Sequence, residues 1–127
     1  MNANQHLAKA RDILAGLAKL DPAAEPLAVI DGTMIAGYHL GNAALHAHGV
    51  TAESEHFNTP SKFEVPPETL PAPVKPVYDV FAELEAMRSH YVRSPNEPDA
   101  RAGAAALRLL ERMAALCGLP GNPPQKR

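Results

Sequence analysis

The histidines are the first candidates for chemistry, because four of the six lie between residues 39 and 56. On one helix, His39 and His46 would share a face but lie about 10 Å apart. His46 and His48 would point about 200° apart. Zinc needs three or four ligands that converge on one point. This spacing predicts surface or hydrogen-bonded histidines and no metal or cofactor, since a metal site would have to recruit His56 or His90 through the fold.

Arginines form a second candidate group in the last third of the chain. Arg101, Arg108 and Arg112 are spaced seven and four residues apart, which places them within about 40° on one helical face. Arg88 precedes them. Guanidinium groups bind phosphates through paired hydrogen bonds. The stripe is interpreted either as a surface for a nucleotide or nucleic acid, or as a solvated face paired with nearby carboxylates.

A polar stripe is formed by Asp31, Tyr38 and Asn42, which are also seven and four residues apart. On a helix they would lie along nearly one line beside the apolar face. Buried polar groups need hydrogen-bond partners. The stripe therefore indicates a ligand pocket between helices, with an internal hydrogen-bond network or an exposed edge as the alternatives.

Nucleophilic catalysis has no support in the sequence. Cys117 is the single cysteine, and no spacing suggests a Cys-His-Asp arrangement. Ser89 and His90 are adjacent, so on a helix their side chains diverge. Gly37 and Gly41 match neither of the common phosphate-binding glycine patterns. We therefore assign no catalytic residue.

Four amphipathic segments must position these side chains. Apolar residues at helical spacing predict helices over residues 4–20, 24–48, 77–92 and 100–117. Six prolines between residues 50 and 76 exclude a regular helix there and predict a long crossover loop. Its expected anchors are Phe57, Phe63, Val65 and Leu70. The sequence thus predicts an all-α fold, an antiparallel up-down four-helix bundle with one long Pro-rich crossover loop between helices 2 and 3. The bundle domain would cover residues 1–118, with a disordered C-terminal tail over 119–127.

The second predicted helix has an unusual composition. It is long and mostly apolar, so several neighbours should cover it. Gly32, Gly37 and Gly41 each disfavour a helix by about 1 kcal/mol relative to alanine. Close approach of another helix would explain them.

Composition sets the class of protein. The chain has 127 residues, 46% of them apolar and 20% charged, and a net charge of −2. These values exclude a collagen-like or fully disordered chain, and a single cysteine excludes a disulfide scaffold. No apolar run reaches the roughly 18–20 residues of a membrane span, and the first residues lack signal-peptide features. We expect a cytoplasmic protein with no membrane partner. The charge is uneven: residues 1–87 carry a net −6 and residues 88–127 a net +4.

Two segments carry a resemblance to a known family. Residues 36–49 read AGYHLGNAALHAHG, and residues 84–91 read LEAMRSHY. With an irregular loop between them and a last helix rich in small residues, this order resembles the HEPN superfamily of α-helical bundles. Their third helix often carries an arginine, then closely a small or polar residue and a tyrosine. The resemblance implies a bundle of four to five helices that is usually dimeric. Many such proteins act in toxin–antitoxin or defence systems, often beside a nucleotidyltransferase, and some are RNases.

The RNase members of that family use an arginine and a histidine separated by four to six residues. Arg88 matches the arginine, but His90 follows after one residue and no later histidine exists. The RNase motif is therefore not matched. By resemblance, Arg88, His90 and Tyr91 are expected to form a binding patch rather than a catalytic set.

We therefore expect a small non-catalytic binding or interaction protein, HEPN-like and homodimeric, whose partner is a nucleotide, an RNA or a cognate protein. One alternative is a metal-independent RNase in which Arg88 stabilises phosphate charge and His90 is the general acid or base, converging across a dimer. A second is a structural scaffold that docks a partner through the loop at residues 50–76.

Overall fold

Four α-helices build the protein in a computed structural model that describes residues 1–119: α1 (Ala3–Leu17), α2 (Pro26–Ala47), α3 (Lys75–Met87) and α4 (Ala102–Leu116). No strand occurs in this part of the chain, so the predicted all-α class is confirmed. The predicted tail begins at residue 119; Leu119 is buried, and residues 120–127 lie outside the described part. None of the described helices combines the length and apolar character that crossing a bilayer requires.

Helix α1 begins at a capping box. The Asn2 side chain accepts a hydrogen bond from the backbone N–H of Gln5, and the Gln5 side chain accepts one from the backbone N–H of Asn2, both at 2.9 Å. The buried face of the helix consists of residues three or four positions apart: His6, Ala10, Leu14 and Leu17. A histidine thus occupies the first position of an otherwise apolar stripe.

Helix α2 is the centre of the fold, because it packs against α1, α3 and α4. Its glycines admit the neighbouring helix. A Cβ atom on Gly37 would lie 3.1 Å from Leu84 Cδ1, and one on Gly41 would lie 3.0 Å from Phe81 Cδ2. A Cβ atom on Gly32 would lie 2.5 Å from Leu17 Cδ2 of α1. The predicted close approach of another helix is therefore confirmed at all three glycines, with α1 as the neighbour at Gly32 and α3 at the other two.

Helix α3 differs from its prediction at both ends. It begins at Lys75, two residues early, because Pro76 fits the first turn, where no N–H is needed. Its continuation, Arg88–Val92, is a π-helical turn rather than α-helix. Such turns carry one extra residue and occur often at functional sites.

The connection between α2 and α3 is anchored by an apolar cluster that is separate from the main core between the helices. It contains two short 3-10 turns, Pro60–Lys62 and Pro67–Thr69. The Phe57 and Phe63 rings meet edge to face, with centroids 4.4 Å apart. The predicted anchors all belong to this cluster, in which Leu70 packs with Leu45, Val74 and the half-buried Phe57, Phe63 and Val65.

Candidate functional site

A pocket of about 460 Å³ opens between α2, the first 3-10 turn and the end of α3. We call it the basic pocket. Its volume lies in the range of small-molecule sites. The side chains that line it are Met34, Ile35, Tyr38, Asn58, Thr59, Ser61, Lys62, Glu85, Arg88, Ser89 and Arg93.

An ion pair fixes Arg88 in the wall of the basic pocket. Arg88 Nε lies 3.0 Å from Asp31 Oδ1, and both atoms are shielded from solvent, although they lack the alignment of a hydrogen bond. The pair joins α2 to the π-helical turn. It also connects Asp31, which was predicted to belong to the polar stripe, with Arg88, which was predicted to belong to a separate binding patch.

The single carboxylate that lines the basic pocket, Glu85, is engaged by neutral donors. Its Oε1 accepts from the backbone N–H of Ser61 at 2.9 Å, and its Oε2 accepts from the Ser61 hydroxyl at 2.6 Å. Three cationic side chains, Lys62, Arg88 and Arg93, line the same pocket. Glu85 and Asp31, the ion-pair partner of Arg88, offset two of these charges, so one positive charge remains in excess and suits a small anion.

The other predicted site residues lie elsewhere. Asn42 is fully buried, and it bonds to backbone rather than lining the basic pocket. His90 is exposed on the π-helical turn, and its ring contacts the Tyr91 ring at 4.6 Å between centroids. Neither of these rings lines the pocket. The three arginines of the stripe on α4 are exposed, and none of them reaches the pocket in the described residues: Arg101, Arg108 and Arg112.

Four histidines from three segments converge near the other side of Tyr38. His6 comes from α1, His39 and His46 come from α2, and His56 follows α2. The ring centroids of His6 and His46 are 5.2 Å apart, and those of His46 and His56 are 5.6 Å apart. One ring nitrogen from each of these three lies within 4.8 Å of the other two. We call His6, His46 and His56 the histidine cluster.

The rings of His6 and His46, which both lie on helices, are each held by a hydrogen-bond contact at Nδ1. His6 Nδ1 lies 3.0 Å from His39 Nδ1, and His46 Nδ1 lies 2.9 Å from Thr51 Oγ1. The Nε2 atoms of His6 and His46 are buried and have no hydrogen-bond partner in the described chain. An unsatisfied buried polar group costs about 1–3 kcal/mol. Two such atoms on neighbouring rings call for an explanation.

Burial keeps several of these imidazoles neutral. Desolvation, together with repulsion from the neighbouring His39, His46 and His56, lowers the pKa of His6 to about 4. Burial and the nearby Lys9 lower the pKa of His39, and burial and the N-terminal amine lower the pKa of His56. A neutral imidazole is the form that binds a metal ion.

Asn42 places His56 beside the helices. Its Nδ2 donates to the Phe57 carbonyl at 3.0 Å, and its Oδ1 accepts from the Phe57 N–H at 3.1 Å. The same Nδ2 donates to the Tyr38 carbonyl at 2.8 Å. The residue after His56 is thus fixed to the surface of α2.

Sequence reasoning missed the convergence because it compared histidine spacings within one helix. A signal was present at His6, which lies four residues before Ala10 on the stripe that continues to Leu14. A histidine in that register is expected in the core. No such pattern indicates the position of His56, because that position depends on the hydrogen bonds between Asn42 and Phe57 in the folded chain.

Comparison of the chain with protein-family models, with curated proteins and with solved structures finds no match.

Proposed function

We propose that this protein is a non-catalytic binding protein that holds a small phosphate-bearing ligand in the basic pocket. The observation that carries the proposal is the placement of Lys62, Arg88 and Arg93 around one pocket of about 460 Å³. Guanidinium and ammonium groups are the side chains that bind phosphate most strongly. The ion pair with Asp31 holds the guanidinium of Arg88 in place before any ligand arrives.

The lining of the basic pocket favours a nucleotide among phosphate-bearing molecules. Met34, Ile35 and Tyr38 supply an apolar and aromatic wall from α2, opposite the charged end of α3. Small-molecule sites typically combine such a wall with a few polar groups that set orientation. A ligand with a phosphate at one end and a flat ring at the other matches this division.

Two observations support binding without catalysis. His90, which the RNase alternative needs as an acid or base, does not line the basic pocket. Cys117 is a poor nucleophile, because burial raises the pKa of its thiol to about 11. Arg88 therefore has a binding role in this proposal, without His90 as a partner for proton transfer.

The resemblance to HEPN bundles supports three further parts of the proposal. They are an up-down antiparallel order of the helices, a homodimer, and a cytoplasmic role in a toxin–antitoxin or defence system with an RNA or a cognate protein as partner. A monomeric mass at micromolar concentration would contradict the homodimer.

The ligand proposal is tested by calorimetric titration of the untagged protein with ADP, pyrophosphate and a short single-stranded RNA. Arg88→Met removes the charge of the pocket arginine and keeps the length of its side chain. Arg108→Met makes the same change in charge on the exposed face of α4. We expect Arg88→Met to weaken the binding of ADP or pyrophosphate at least tenfold and Arg108→Met to change it less than twofold.

Three outcomes would contradict the proposal. Equal losses in Arg88→Met and Arg108→Met would indicate nonspecific attraction by net charge. No binding of ADP or pyrophosphate at millimolar concentration would remove the phosphate ligand. RNA binding that depends on Arg108 rather than Arg88 would transfer the function to the arginine stripe.

A further inference from the structure

We propose that His6, His46 and His56 form a binding site for one divalent late transition metal ion, with zinc as the reference ion. The site lies outside the basic pocket and does not depend on the phosphate-ligand proposal. It is argued from the positions, the hydrogen bonds and the burial of the three imidazoles.

The geometry of the histidine cluster is close to that of a three-histidine metal site. One nitrogen from each ring lies within 4.8 Å of the other two. In a tetrahedral zinc site with Zn–N bonds of about 2.0–2.1 Å, ligand nitrogens are about 3.3 Å apart. The rings must therefore close by at most about 1.5 Å. His56 is exposed and lies outside the helices, so its side chain has room to move towards the other two.

The hydrogen bonds of the cluster leave the correct nitrogens free. With its proton on Nδ1, His6 donates to His39 Nδ1, and His46 donates to Thr51 Oγ1. Each ring then has a lone pair on Nε2. Metal-binding histidines almost always donate their other ring N–H to a fixed acceptor, which sets both tautomer and orientation. His39 and Thr51 are these acceptors here.

The observation that points to a ligand is the absence of any other partner for these lone pairs. His6 is fully buried. Its Nε2 and that of His46 are shielded from solvent and accept no hydrogen bond within residues 1–119. Most buried polar atoms in proteins have a partner, and a metal ion would satisfy both of these atoms at once.

The donor set selects the class of metal. The three ligands are imidazoles, which suit zinc, copper and nickel, whereas magnesium and calcium require oxygen ligands. Three protein ligands leave a fourth position on a tetrahedral ion. The site therefore has an open coordination position rather than the four protein ligands typical of structural zinc.

Calorimetric titration of the untagged, chelator-treated full chain with zinc chloride tests the site. We expect one ion per chain. His56→Ala removes an exposed ligand without disturbing the core, and it should weaken zinc binding at least tenfold. The matched control is His48→Ala, which removes an exposed histidine two residues after His46 that does not belong to the cluster. It should leave the affinity unchanged.

Cobalt(II) provides a second measurement that reports geometry. Tetrahedral cobalt absorbs strongly in the visible range, so the native chain should show these bands and His56→Ala should lose them. Thr51→Val removes the acceptor of the His46 N–H, and we expect it to weaken zinc binding 10- to 100-fold. Far-UV circular dichroism of each variant establishes that the helices are retained.

Several outcomes would overturn the metal site. They are several weakly bound ions per chain, equal affinity in His56→Ala and His48→Ala, or cobalt bands that persist without His56. Arg88→Met should bind zinc as the native chain does. The metal site and the phosphate ligand can therefore fail separately.

Discussion

The side-chain amide of Asn42 is hydrogen-bonded to both backbone polar groups of Phe57, at 3.0 Å to its carbonyl and 3.1 Å to its N–H. Asn42 is fully buried in α2, and Phe57 lies fifteen residues later in an irregular segment. A side-chain amide has two N–H donors and one oxygen acceptor, so one N–H and the oxygen pair with Phe57 while the second N–H donates to the Tyr38 carbonyl. This pairing makes residue 57 a fixed point between the basic pocket and the histidine cluster.

Replacement of Asn42 by leucine should therefore destabilise the fold. Asn42→Leu keeps the volume of the side chain but leaves the N–H and the carbonyl of Phe57 without partners. We expect the free energy of unfolding to fall by about 2–4 kcal/mol, measured by urea denaturation. The control is Asn58→Ala, a substitution at the exposed residue that follows Phe57. It should change the free energy of unfolding by less than about 0.5 kcal/mol. Equal effects of the two substitutions would contradict a structural role for the Asn42–Phe57 pairing.

The stability of the metal-free protein should depend on pH through His6. Its pKa is about 4 in the folded state and 6.5 in the unfolded state. The unfolded chain thus binds more protons between these values, and stability falls as the pH decreases from 6.5 towards 4. The groups that face His6 are His39, His46, His56 and the N-terminal amine, and all of them oppose its protonation. Urea denaturation of the chelator-treated chain at pH 7, 6 and 5 measures the slope.

Two leucine variants identify the group responsible for that slope. His6→Leu should reduce the decrease in stability below pH 6.5, because the leucine cannot bind a proton, while His39 and His56, whose pKa values are also lowered, retain part of it. His90→Leu removes an exposed histidine and should keep the slope of the native chain. If His6→Leu and the native chain lose stability in parallel, the pH dependence comes from another group.

Replacing glycine by alanine should lower the stability of the fold at Gly41 and raise it at Gly16. The Phe81 ring lies between Gly37 and Gly41, where a Cβ on either would come within 3.2 Å of it, so the ring cannot move away from one without approaching the other. Gly41→Ala should therefore destabilise the fold by about 1–2 kcal/mol despite the better helix propensity of alanine. At Gly16 nothing lies within 4 Å of an added Cβ, and Gly16→Ala should stabilise by about 0.5–1 kcal/mol. A shift of the thermal midpoint in the same direction for both would contradict this packing.

The helices were predictable because each carries its own periodic pattern. The observed ends of α1, α2 and α4 lie within three residues of the predicted ones. The glycines of α2 also indicated the close approach of a neighbour. The π-helical turn at Arg88–Val92 was not predictable from apolar spacing, because tertiary packing rather than local propensity decides such a turn.

The candidate sites were predictable only in part, for a physical reason. Arg88 and Tyr38 were identified by residue type, and both line the basic pocket. Lys62 and Ser61 lie in a loop without periodicity, so no pattern related them to α2. The histidine cluster depends on α1 packing on α2 and on the hydrogen bonds of Asn42, and spacing along the sequence contains neither.

The order of the three histidine ligands along the chain has a consequence for biosynthesis. His6, His46 and His56 all precede Lys75, the first residue of α3. During translation, the complete set of imidazoles is therefore synthesised before α3 and α4. An ion bound at the proposed site would therefore link α1, α2 and the segment that follows α2 without any ligand from α3 or α4.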